Sequence, residues 1–179
     1  MKVILISGKA QNGKDTAASI LHSSLTNDGK KVLITHYADL LKFICKNYFG
    51  WDGQKDEKGR QMLQYVGTDV IRVKDPTLWV DFVAKMLKYF HSNWDYVIIP
   101  DCRFPNEITV MSDDFDTVHL RVTRGDFESP LTEEQLKHPS ETALDNVEPD
   151  YYISNNGTIK DLESTIIKWI KESLYESKS

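Results

Sequence analysis

From Gly8 to Thr16 the chain reads Gly-Lys-Ala-Gln-Asn-Gly-Lys-Asp-Thr, residue types that can together hold a phosphate. Glycine at either end of the run Gly8, Lys9, Ala10, Gln11, Asn12 and Gly13 lets successive backbone N–H groups curl round an oxygen cluster. Lys14 then reaches the β and γ phosphates of a nucleotide, and a helix starting beside it adds partial positive charge. The spacing GxxxxGK is met, with an apolar strand before it and a helical pattern after it, which is the context the motif requires. The departure lies one residue on, where Asp15 stands in place of the hydroxyl that ordinarily meets Mg²⁺. A carboxylate can hold that ion directly or through water, because Mg²⁺ prefers oxygen ligands and keeps several waters. Asp15 can equally be the acidic partner of the helix dipole in the first turn, and Thr16 is placed to donate to the α-phosphate.

A second acid follows the apolar run YVIIP: Asp101, at the carboxyl edge of a parallel sheet, faces the phosphate loop and is a second candidate for Mg²⁺. Its alternative is an aspartate that caps the next segment. Arginines are scarce and confined to the middle of the chain: Arg60, Arg72, Arg103, Arg121 and Arg124. The guanidinium fork suits phosphate, so Arg60, Arg72 and Arg103 are candidates for an acceptor phosphate and Arg124 for closing over a donor. For any one of them the alternative is a surface ion pair of small worth. Trp79, Tyr65, Phe43 and Phe104 can stack on a base, although aromatics at helical spacing more often fill a core. His22, His36, His91 and His119 show no partner pattern and read as structural or surface residues.

These residues must be positioned by alternating elements. Lys2 to Ser7 (KVILIS) reads as a buried parallel strand, Asp15 to about Leu25 as a helix stopped by Asn27-Asp28-Gly29, Lys31 to Tyr37 as a strand and Ala38 to Phe49 as a helix. Two helical segments, about 57–73 and 78–92, are separated by Asp75-Pro76, where proline disfavours helix at the preceding residue. Strands follow at Tyr96 to Pro100, Asp116 to Thr123 and Asp150 to Ser154, with a last amphipathic helix from Thr158 to Leu174. Residues 124–140 lack periodicity apart from a capping box at Thr132, and form a candidate flap. Strand–helix alternation predicts an α/β fold with a parallel, doubly wound sheet, and the paired helices look like an insertion covering it.

With 179 residues, the chain fits one compact domain spanning 1–179, with a polar end at ESKS. No stretch approaches the roughly 20 apolar residues of a membrane span, so a soluble, intracellular protein is expected. Cys45 and Cys102 support neither a disulfide framework nor a zinc site. A net charge of -5 argues against nucleic-acid or membrane-surface binding, and leaves an anionic small molecule to local positive charge.

Taken together these segments resemble the deoxynucleoside monophosphate kinase family of tailed bacteriophages, a branch of the P-loop nucleoside monophosphate kinases. SGKAQNGKDTAA is similar to its phosphate loop, in which Lys-Asp-Thr is usual, and RQMLQYVGTDVIR (60–72) with DPTLWVD (75–81) is similar to its acceptor region. IIPDCRFPNE (98–107) resembles the segment bearing the acid and arginine, HPSETALD (138–145) the element after the lid, and YYISNNGTIKDL the closing strand, turn and helix. The resemblance implies a three-layer α/β/α fold on a five-stranded, mainly parallel sheet, with a helical acceptor-binding insertion at about 39–93 and a short lid at about 124–140. It implies ATP and Mg²⁺ as donor and cofactor, with Lys14, Asp15 and Arg124 in the chemistry, Asp15 and Asp101 at the metal. By the same resemblance Asp39, Lys42, Arg60, Gln64, Arg72, Trp79, Asp101, Arg103, Glu107, Lys137 and Glu141 lie on the acceptor side. Partners would be small-molecule nucleotides, without nucleic acid or membrane, in a cytoplasmic monomer or homodimer (host cytoplasm if phage-encoded). The lid departs from the pattern by holding Arg124 as its lone arginine, which makes Arg121 or Lys137 a candidate substitute. Two other functions fit the same motifs: a kinase of another small phosphorylated metabolite, since eukaryotic phosphomevalonate kinases share a Gly-Lys-Asp loop, and an ATP-binding regulatory or packaging module.

Overall fold

A computed structural model describes residues 1–125, 127, 129 and 131–175. The chain runs β1 (Lys2–Ser7), α1 (Lys14–Asn27), β2 (Val32–Ile34), α2 (Ala38–Tyr48), α3 (Glu57–Gln64), α4 (Leu78–Tyr89), β3 (Tyr96–Ile99), α5 (Pro105–Asp114), β4 (Asp116–Thr123), α6 (Glu133–Lys137), α7 (Pro139–Thr142), β5 (Tyr151–Ser154) and α8 (Ile159–Trp169). A π-helical segment, Tyr65–Arg72, prolongs α3, and another, Ile170–Tyr175, prolongs α8. The five strands lie in the order β2-β3-β1-β4-β5, and every pairing is parallel.

Alternation along β1 shows why its sequence is apolar throughout. Val3 and Leu5 join a core with Leu41, Trp79, Val83 and Met111, from α2, α4 and α5, while Ile4 and Ile6 join Leu21, Leu25, Leu162 and Ile166, from α1 and α8, on the other face. A strand covered on both faces needs no polar alternation. The helices that follow the adjacent strands β1 and β3 therefore pack on opposite faces, which opens a crevice at the carboxyl ends of those strands.

Several boundaries differ from the sequence expectation. β2 spans three residues rather than 31–37, because it pairs with β3 alone and the chain then turns at His36 and Tyr37 into α2. The helix expected at 57–73 widens into π geometry from Tyr65, placing the Gly67 carbonyl 3.0 Å from Trp79 Nε1. Helix α5 was not anticipated. Its signals are Pro105 in the first turn and Glu107, whose Oε2 accepts from the Phe104 N–H at 3.0 Å. The expected flap at 124–140 contains α6, opened by the Thr132 cap; positions 126, 128 and 130 of it, like 176–179 of the polar end, lie outside the described residues.

Candidate active site

The turn from β1 to α1 is shaped by close approaches that only glycine permits. At Gly8 φ is +144°, and a Cβ would sit 2.4 Å from the Val122 carbonyl oxygen; at Gly13 φ is +95°, and a Cβ would meet Asn155 Nδ2 at the same distance. Asn155 Nδ2 donates to the Asn12 carbonyl at 2.9 Å, so the turn after β5 braces the loop from below. Lys14 Nζ donates to the carbonyls of Gly8 (2.7 Å) and Lys9 (2.8 Å), folding the ammonium over its own loop. Burial, and next the neighbouring Arg103, bring the Lys14 ammonium down to about 8. Two cations forced together in this way favour an anion between them.

Around the loop lies a cleft of about 470 Å³, within the usual range for ligand sites. Of the residues singled out in sequence, Ala10, Gln11, Lys14, Asp15, Lys42, Arg60, Gln64, Arg72, Trp79, Asp101, Arg103, Glu107 and Glu141 line it. Gly8, Lys9 and Asn12 face a smaller cavity behind the loop, and Thr16 is exposed on α1. Asp39 stays at the margin, bound to Lys42 Nζ (3.0 Å) and the His36 N–H (3.1 Å); partial burial opposes ionisation, but Lys42 and His36 hold its carboxyl below the ordinary range.

Within the cleft the arginines divide by how they are engaged. Arg72 Nη2 donates to Glu107 Oε1 at 2.7 Å, Nη1 to the Pro76 carbonyl at 3.1 Å, and the guanidinium lies 3.8 Å over the Phe104 ring. Glu107 is buried and also accepts from the N–H groups of Arg103 (2.7 Å) and Phe104 (3.0 Å), so it shapes the wall rather than reaching into the cleft. Burial pushes its carboxyl up to about 7, against the pull of Arg72. Arg60 lies near the mouth, donating to the Lys55 carbonyl at 3.0 Å. Arg103 Nη1 donates to the Ser140 carbonyl at 2.9 Å and to Glu141, whose other oxygen accepts from the Ala10 N–H at 3.0 Å.

Asp101 resolves into the capping alternative, though not for the segment that follows it: its two oxygens accept the N–H groups of Tyr37 and Ala38, each at 3.0 Å, and so cap α2. The open carboxylate beside Lys14 is that of Asp15, exposed and 3.9 Å from His36 Nε2. Among the described residues no three histidine, cysteine or acidic side chains cluster to form a metal site by themselves.

The structure does not bring Lys137 or Arg124 into this cleft. Lys137 points outward from α6 toward Glu133 at 3.9 Å, and Arg124 stacks 4.6 Å over Phe127 beyond the end of β4. Arg121 is unsuited to a lid, since its Nη2 donates to the carbonyls of Leu144 and Val147, both at 2.7 Å. His119 has a partner after all: its Nε2 lies 2.7 Å from Ser7 Oγ, and burial lowers the imidazole to about 4. Phe104, named as a stacking candidate, and His36, read as a structural or surface residue, also line the cleft, and lining residues that the sequence reading passed over include Tyr37, Lys55, Thr68, Gln135 and Ser140. Tyr37 had a signal in its place between a strand end and a helix start, while Asn155 was legible only as a turn former.

Comparison with known proteins adds to this geometry. The family model described as deoxynucleotide monophosphate kinase matches residues 35–166. A protein of Acanthamoeba polyphaga mimivirus bearing that name is 29% identical over 205 residues, covering 95% of this chain and 96% of that protein. The deoxynucleotide monophosphate kinase of Escherichia phage RB69 is 32% identical over 114 residues, covering 63% of this chain and 44% of its own length. The match to the enzyme of that name from Enterobacteria phage T4 spans 45% of that protein. Among solved structures, an APS kinase of Mycobacterium tuberculosis superposes with TM-score 0.53 at 11% identity over 95% of this chain and 96% of its own. The shikimate kinase of Aquifex aeolicus superposes at 0.52 and 12% over 97% and 98%. At such identities the likeness speaks for the fold alone, which is that of the P-loop kinases.

Proposed function

The chain belongs to the deoxynucleotide monophosphate kinase family, and from that membership we infer that it transfers the γ-phosphoryl group of ATP to a deoxynucleoside monophosphate, yielding the diphosphate and ADP. An oxygen of the acceptor phosphate attacks the γ phosphorus, the bond from that phosphorus to the β–γ bridging oxygen breaks, and the displaced charge remains on ADP. Such transfer asks of a protein mostly positioning and charge stabilisation. The observation that carries the reading is one cleft lined at once by the phosphate-loop residues Ala10, Gln11 and Lys14, the arginines Arg60, Arg72 and Arg103, and the aromatic side chains of Trp79 and Phe104.

In this reading Lys14 and the loop N–H groups hold the donor phosphates. Arg60, Lys42 and Gln64 face the acceptor, whose base lies against the wall formed by Trp79 and Phe104. Trp79 is fixed for that task by its bond to the Gly67 carbonyl at 3.0 Å. The donor set suits Mg²⁺ held through Asp15, an exposed carboxylate beside Lys14, while each oxygen of Asp101 accepts one N–H at the start of α2 and keeps a lone pair toward the cleft. When bound, Mg²⁺ would offset the negative charge of the donor phosphates. Residues 39–93 form the acceptor region and 124–140 the lid of a domain spanning 1–179, working on free nucleotides in the cytoplasm, of a host cell if phage-encoded. Among the described residues no helix is long and apolar enough to cross a membrane.

A coupled ADP-release assay over deoxy- and ribonucleoside monophosphates tests this. The expected result is ADP formation that depends on an added deoxynucleoside monophosphate. Turnover with phosphomevalonate alone, or ATP hydrolysis indifferent to any monophosphate, would overturn it.

A further inference from the structure

Arg103 is the cleft arginine gripped against the phosphate loop, whereas Arg60 is held through Nε alone by the Lys55 carbonyl. Arg72 is held at both Nη atoms, by Glu107 and the Pro76 carbonyl, with its Nε buried and unpaired among the described residues, whereas Arg103 is gripped at one nitrogen, Nη1, which meets both the Ser140 carbonyl and Glu141. Its Nε and Nη2 have no protein partner among the described residues. The gripping carboxylate is 5% exposed in its side chain, and it bridges, because its second oxygen takes the Ala10 N–H of the phosphate loop at 3.0 Å. The backbone beneath it is tied as well, with Lys9 Nζ donating to the Glu141 carbonyl at 2.6 Å and pairing with Asp145.

We propose that Glu141 is a positioning residue that ties Arg103 to the rim of the phosphate loop, so that the free edge of the guanidinium meets the terminal phosphate of the donor. This deepens the reading above and rests on it for the identity of the donor. It moves Arg103 and Glu141 from the acceptor side, where family resemblance put them, to the transferring group. A nearly dry carboxylate holding a charged fork at one oxygen and a loop N–H at the other fixes the distance between the two. The depression of Lys14 by Arg103 is the electrostatic trace of the same closeness, two cations converging where the phosphates of ATP place the most negative charge.

The test is the preference for ATP over ADP in calorimetric binding, measured without acceptor. Arg103→Ala and Glu141→Gln are each expected to reduce that preference about tenfold, the size of one charge-assisted hydrogen bond. The double variant should lose no more than Arg103→Ala alone, since the two act as one unit. In turnover both single variants should lower kcat with little change in the KM for the monophosphate. Additive losses, an unchanged preference, a wild-type chain indifferent to the terminal phosphate, or an effect confined to the KM of the monophosphate would each overturn the proposal. A melting temperature within a few degrees of wild type for Glu141→Gln separates this from simple unfolding. A chain that shows the binding pattern yet releases no ADP with any monophosphate would sink the proposed acceptor and leave this inference standing.

Discussion

Lys14 donates to two carbonyls of its own loop while its ammonium is held down to about 8 by burial and by Arg103. Phosphate must therefore find the lysine protonated, and binding raises the lysine again by supplying the missing anion. Affinity for ATP is expected to be steady below about pH 8 and to weaken above it as the free protein gives up this proton, a trend that calorimetry in buffers of different ionisation enthalpy would check. Lys14→Ala should abolish transfer and remove that pH dependence while the fold stays intact, as read by circular dichroism. Lys14 was legible because its meaning lies in local spacing. The use of Asp101 was legible only in outline, for the N–H groups it caps belong to residues 64 and 63 positions earlier in the chain. The partner of His119, a structural residue as expected, was invisible for the same reason: Ser7 is 112 positions away.

Among elements, the contact between the π-helical segment Tyr65–Arg72 and α5 decides the shape of one wall of the cleft. Arg72 reaches from one to Glu107 of the other, and that acid organises the turn at Arg103 and Phe104 that starts α5. Arg72→Ala should accordingly cost about 3–5 kcal/mol of stability, because it strands a carboxylate with a 2% exposed side chain. Urea denaturation would read that loss. A purely superficial arginine would cost well under 1 kcal/mol. From sequence, Arg72 and Glu107 were each placed on the acceptor side, in separate segments, and nothing there could tell a ligand contact from the structural tie that joins them. The capping signal at Thr132 translated directly into a helix start, since a cap is a matter of neighbours three residues apart, and Thr158 caps α8 in the same way. The widening of the helix at Tyr65 had no such marker.

For the molecule as a whole, net charge and local charge oppose one another. The chain carries -5, yet the cleft is lined by the cations Lys14, Lys42, Lys55, Arg60, Arg72 and Arg103 against the acids Asp15, Asp101, Glu107 and Glu141. Attraction of nucleotides is thus confined to one opening, and it is expected to fade with salt: the KM of both substrates should rise severalfold between about 0.05 and about 0.5 M salt, with kcat less affected. Steady-state kinetics across that series would decide it. The parallel sheet was readable because two-sided burial leaves unbroken apolar runs such as KVILIS. The bracing of the phosphate loop was not, because its strut comes from far along the chain. Asn155 holds Asn12 across a sequence separation of 143 residues, from a turn that exists only once β5 has docked on β4. During synthesis, therefore, the phosphate loop leaves the ribosome 143 residues ahead of the strut that braces it, and the growing chain gains its grip on nucleotide only after that strut has followed.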